Sequence, residues 1–97
     1  MIVNERDTPE GLLVAVCDDD VLGETYEDGE ITLTVNEEFY GGESVDAEGA
    51  IEALSRATVA NIVGTEAVGV AIEAGIIDEA HVLEVDSTLH AQLLRMY

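Results

Sequence analysis

"DAEGAIEALSRATVANIVGTEAVGVAIEAG", residues 46–75, decides how the chain is organised. Ala47, Ile51, Leu54, Thr58 and Ile62 recur three or four residues apart, which places them on one stripe of an α-helix. Ser44 or Asp46 supplies an N-cap, and Gly64 the C-terminal stop. A second helix follows at once: Thr65 caps it, Val68, Ala71 and Ile72 form its apolar face, and Gly75 takes a left-handed closing conformation before Ile76 turns back. Two consecutive helices of this kind need a surface to pack on.

The flanking segments supply it, because their apolar residues follow the shorter period of a strand. "MIVNER" (1–6) and "LLVAVC" (12–17) are separated by the turn-forming set Asp7 to Gly11, which predicts a hairpin. After "DDD" (18–20) and a turn at Val21 to Gly23, Asp28 and Gly29 introduce "EITLTV" (30–35). Its Ile31, Leu33 and Val35 alternate onto one face, as in a half-buried strand. "HVLEV" (81–85) reads as a further strand. In "TLHAQLLRMY" (88–97), Leu89, Leu93 and Met96 suit a helix, while Leu89, Ala91 and Leu93 suit a strand face. The strand is preferred, because Thr88 to Leu94 then pairs with Val82 to Val85 and completes a sheet for the helices. The expectation is an α+β, two-layer sandwich: a small, largely antiparallel sheet of about five short strands packed by two consecutive helices. The 97 residues form a single domain, 1–97.

Charge sets the solvent in which such a chain folds. It carries 22 Asp and Glu against three arginines (Arg6, Arg56, Arg95) and no lysine, for a net charge of -19. A hydrophobic fraction of 47% argues that it folds despite that charge. At about 1 M salt the screening length falls to roughly 3 Å, so crowded surface carboxylates largely stop repelling one another. The composition, rich in small residues and carboxylates, resembles proteins of extreme halophiles. The acids are spread along the chain rather than gathered in one block, which argues against an acidic decoy that binds a basic partner. Helical circular dichroism and melting temperature are both expected to rise with potassium chloride. Equal values from low to multimolar salt would overturn this reading.

Several chemistries lack their residues. With Asp18 at position one of a calcium loop, Leu22 falls at position five and Gly29 at position twelve, both non-ligands. Cys17 is single and precedes three aspartates, which disfavour a thiolate nucleophile. His81 and His90 stand outside any metal-ligand spacing. Gly41 and Gly42 precede a helix but match no phosphate-loop pattern, and Glu43, Asp46 and Glu48 surround them with negative charge. No basic stripe marks a nucleic-acid binder. No apolar run reaches membrane-span length, and Glu5 and Asp7 follow Met1 too soon for an export signal, so a cytoplasmic protein is expected, without metal or cofactor.

Taken in order, "LLVAVCDDDVLG" (12–23), "EEFYGG" (37–42), "ATVANIVGTEAVGVAIEAG" (57–75) and "HAQLLRM" (90–96) resemble a small archaeal family known as domain of unknown function 424. The resemblance implies an α+β two-layer fold, a single-domain cytosolic protein with no established activity, and an association with the translation apparatus. It also implies that "FYGG", Asn61 and "HAQ" share one surface. Relatives carry lysines where this chain has acids or small residues.

Candidate site residues follow from both lines. Phe39 is expected to plug the junction of the strand and helix layers, with Gly41 and Gly42 making a sharp turn and Tyr40 left exposed to stack on a ligand or partner. His90 and Gln92 share one face if their segment is extended. With Asn61 and Arg95 they complete the expected binding set: Tyr40, Gly41, Gly42, Asn61, His90, Gln92 and Arg95. The leading expectation is a non-catalytic binding module for a protein or ribonucleoprotein partner. The alternatives are a small enzyme with His90 as general base and Asn61 or Gln92 orienting substrate, and a structural subunit whose apolar face is covered by a second copy or a larger partner.

Overall fold

The computed structural model describes residues 1–95; Met96, which the helical reading of the last segment used, lies outside them. Strands β1 (Ile2–Thr8) and β2 (Gly11–Cys17) form the expected hairpin. Gly11 has φ 124°, and a Cβ there would be driven into the Thr58 side chain, so the turn requires glycine. The expected C-terminal hairpin is also present, as β7 (Leu83–Val85) and β8 (Thr88–Leu94), although the strand expected from His81 starts only at Leu83, His81 belonging to a single 3-10 turn, Glu79–His81.

Between these hairpins the chain departs from the expected two consecutive helices. Helix α2 (Ala47–Arg56) starts as expected at Asp46, whose carboxylate accepts from the Gly49 N–H, but stops at Arg56. "VANIV" is strand β6 (Val59–Val63), the centre of the sheet. The i, i+4 spacing of Leu54, Thr58 and Ile62 continues the helical stripe by coincidence. β6 carries apolar residues on both faces, with Ala60 and Ile62 in one core, Val63 in the other and half-buried Val59 on the open side, so it shows no clean alternation to read. Its β-branched Val59, Ile62 and Val63 suit the pleat. Gly64 therefore opens α3 (Thr65–Glu73) rather than closing α2. Gly75, with φ 74°, does end α3 as expected: the Gly75 N–H donates to the Ile72 carbonyl and the Ile76 N–H to that of Ala71.

With β5 (Glu43–Ser44) the strands form a mixed sheet of six, in the order β5-β1-β2-β6-β8-β7, one more than about five. Only β2 and β6 run parallel. "EITLTV" does not join it. Its strand β4 (Ile31–Thr34) pairs with β3 (Thr25–Asp28), a segment the spacing does not signal, in a separate hairpin turned by Gly29 at φ 63°.

The sheet carries a core on each face. Helices α2 and α3 pack on one, over Val14, Val16, Ala60, Ile62 and Ala91. On the other, the 3-10 turn Asp19–Val21, the end of the β3–β4 hairpin and the one-turn helix α1 (Glu37–Tyr40) bring Val21, Val35 and Tyr40 over Ala15, Cys17 and Val63. Among the described residues, no helix is long and apolar enough to cross a membrane.

The second core reverses the expected roles of the two aromatics. Tyr40 is 5% exposed, and burial pushes its hydroxyl pKa up to about 12. Phe39 is half-buried, edge-on to Tyr40 with ring centroids 5.0 Å apart, and the Arg6 guanidinium lies 5.3 Å from its ring centre. The cause is local. Asn36 caps the Phe39 N–H at 2.8 Å and winds "EEFY" into a helical turn. Neighbouring side chains are then about 100° apart instead of on opposite sides. The two glycines serve close packing rather than a left-handed turn: a Cβ on Gly41 would strike the Glu37 carbonyl, and one on Gly42 the Val3 carbonyl.

Candidate functional site

Registers across the six strands set out the sheet face opposite α2 and α3 in rows. One row runs Arg6, Leu13, Val59, Leu94; the next Asn4, Ala15, Asn61, Gln92; the third Ile2, Cys17, Val63, His90, Leu83. The β3–β4 hairpin and α1 cover Cys17, Val63 and Ala15. The first row and the β6–β8 end of the second remain open: Leu94 is 67% exposed and Gln92 exposed, while Leu13, Val59 and Asn61 are half-buried.

At the centre of that opening Asn61 and Gln92 face each other in register, and Gln92 Nε2 donates to Asn61 Oδ1 at 3.0 Å. His90 lies two residues along the same face, half-buried. Desolvation lowers its pKa, so the imidazole is neutral near pH 7. Three of the expected site residues are thus brought together.

Arg95 is not with them. It follows Leu93 onto the helix side, where its Nη1 donates to the Leu54 and Ala57 carbonyls at 2.8 Å each and caps the C-terminus of α2. Tyr40 is in the core beneath the hairpin, and Gly41 takes the Asn4 side-chain amide on its carbonyl. Gly42 lines a cleft of about 510 Å³ at the β1–β5 edge beside α2, together with Glu5, Glu43 and Glu52. Arg56 spans two of these acids, at 2.8 Å from Glu5 and 2.8 Å from Glu52, and its hydrogen bond holds the Glu5 carboxyl below its usual pKa. His90, Asn61 and Gln92 do not line this cleft.

The sequence reading missed the apolar partners of the amide pair. Leu94 and Val59 flank it in the next row, and the signal was available: once Thr88 to Leu94 is extended, Leu94 follows Gln92 by two and shares its face. It also missed what the face lacks. Of 97 residues 22 are acidic, yet no strand position on this side of the six-stranded sheet is Asp or Glu.

Two further chemistries are closed by structure. Cys17 is fully buried, and burial followed by the charges of Asp18 and Asp19 pushes its thiol up to about 11, a protonated and inert group. Asp18 is itself 6% exposed. Its two oxygens accept from the Glu66 N–H at 3.0 Å and the Ala67 N–H at 2.7 Å, so they occupy the N-terminus of α3 where an anion would bind.

Comparison with known proteins gives two findings. The family model described as "Protein of unknown function (DUF424)" matches residues 5–96. Among solved structures, the chain is similar to the crystal structure of an uncharacterized conserved protein from Methanopyrus kandleri. That likeness has a TM-score of 0.79 and 27% identity, covering 99% of this chain and 93% of that one. No curated protein matches.

Proposed function

Because the chain belongs to the DUF424 family of proteins of unknown function, its role has to be argued from its own surfaces, and we propose that it is a non-catalytic interaction module whose working surface is the open sheet face around Asn61 and Gln92. The observation that carries this is the absence of carboxylates from that face in a chain of net charge -19. Solvated surface in this protein is carboxylate surface. A face that keeps Leu94 67% exposed and places a side-chain amide pair beside it has instead the composition of an interface centre, from which charged residues are depleted.

A protein partner fits this face better than nucleic acid. Its one cation, Arg6, already donates to the Asn4 side chain and the Glu38 carbonyl and lies over Phe39. Nucleic-acid affinity rests mainly on neutralised phosphates, and the rest of the molecule repels them. Particles of the translation apparatus, suggested by the family resemblance, would be engaged through their proteins. The acidic remainder fits a salt-loaded cytoplasm, where screening lets such a chain fold and approach a partner.

The test is site-directed photo-crosslinking in a salt-rich cell extract, with a photoreactive side chain at Leu94 or, for comparison, at Glu48 on the exposed side of α2. Crosslinked products are expected to concentrate at position 94. Equal yields at both positions would mean that the sheet face is ordinary surface.

A further inference from the structure

Resting on that reading and naming its partner, we infer that the open sheet face is the two-fold interface of a homodimer, with Asn61 and Gln92 of one chain against Gln92 and Asn61 of a second copy.

Charge is the first argument. A basic partner would be drawn to the acidic remainder of the molecule, which holds all 22 carboxylates, and not to the face that has none. This face accepts a surface that is equally free of carboxylates and equally mixed in leucine and amide, its one cation, Arg6, being already engaged with Asn4, the Glu38 carbonyl and Phe39. A second copy brings such a surface by construction, and contact through it keeps the carboxylates of both chains at the periphery.

Hydrogen-bond polarity is the second. With Gln92 Nε2 donating to Asn61 Oδ1, the Asn61 Nδ2 donor and the Gln92 Oε1 acceptor make no hydrogen bond among the described residues. One free donor beside one free acceptor is self-complementary under a two-fold rotation: each Asn61 amide can donate to the Gln92 carbonyl of the copy. Burying either group unpaired would be costly, so the pair favours a partner that returns the same pattern. The exposed Leu94 and half-buried Leu13 in the adjacent row then supply the apolar contact of two sheets packed face to face.

Sedimentation velocity on the whole protein tests this, across protein concentration and from about 0.2 M to about 3 M potassium chloride. The expected result is a species of twice the 10.3 kDa chain mass that is favoured by salt, because screening removes the repulsion between two acidic chains. Leu94→Asp and Gln92→Glu each place carboxylates against their copies. Each is expected to raise the dissociation constant by about tenfold or more while leaving the circular dichroism unchanged. Hydroxyl-radical footprinting of the unaltered protein gives a reading without a variant, with Leu94 and Leu13 protected on association. One-chain mass under all conditions overturns the proposal, as does a dimer indifferent to both substitutions or one that leaves Leu94 and Leu13 unprotected. If the protein stays at one-chain mass while a photoreactive group at Leu94 still captures other proteins, the second copy is wrong and the interaction module stands. If neither occurs, both are wrong.

Discussion

Tyr40→Ala is expected to destabilise the fold by about 3–5 kcal/mol, the usual cost of truncating a buried aromatic ring. At roughly 4–8 °C per kcal/mol for a domain of this size, the melting point falls by at least about 12 °C. The ring is 5% exposed in the second core, among Val35, Cys17 and Val63. Phe39→Ala removes a half-buried ring whose outer face carries the Arg6 guanidinium, and is expected to cost roughly 1–2 kcal/mol. Thermal melts of both variants in the same high-salt buffer decide the order. A Phe39→Ala protein that melts earlier than Tyr40→Ala would mean that α1 docks with the other ring inward.

Gly64→Ala is the second large effect, at about 3 kcal/mol or more. Its backbone sits at φ 120°, ψ 149°, a region essentially closed to residues with a Cβ. That Cβ would also be driven into the Asp18 carboxylate. Asp18→Ala, which leaves the Glu66 and Ala67 N–H groups without acceptors in a part-buried and a buried site, is expected to cost about 2–4 kcal/mol on its own. The two losses are not independent. Deleting the carboxylate relieves the collision but not the backbone strain, so the double variant Asp18→Ala/Gly64→Ala should lose less than the sum of its parts in denaturant titrations. Strict additivity would show that the two residues do not meet in solution.

How much of this was legible beforehand follows from the physics of each signal. The two terminal hairpins were readable because β1, β2 and β8 each offer an alternation or a bounded apolar run beside a turn set. The Asp46 cap and the Gly75 close were readable because helix ends carry their own chemistry. β6 was not, since a strand with apolar residues on both faces has no clean period of two, and the stripe of α2 ran on into it by chance. The role of Asp18 was hidden for a related reason. In "DDD" it is indistinguishable by type from the exposed Asp19 and Asp20, and only the return of β6 and α3 beside the end of β2 gives it two N–H groups to accept from. Of the site, Asn61, His90 and Gln92 converge as expected. Tyr40 and Arg95 were assigned by residue type, and the fold uses both inside itself: one as core, the other as a helix cap.

The short outer strands bear on a different hazard, fibrillar aggregation. A sheet grows edge to edge wherever a long strand offers unpaired N–H and C=O groups, and many proteins guard such edges with like charges. In multimolar salt, where screening reaches down to roughly 3 Å, charge loses most of that power. Here one margin of the sheet is the two-residue β5 and the other the three-residue β7, lengths too short to template a further strand. The stretch of β1 that β5 leaves unpaired, "NERDT", is apolar at no position. On the β5 side geometry and composition thus protect the margin where electrostatic repulsion would fail, whereas on the other side β7 pairs only Thr88, Leu89 and His90 and leaves Ala91 to Leu94 of β8 without a strand partner on that side.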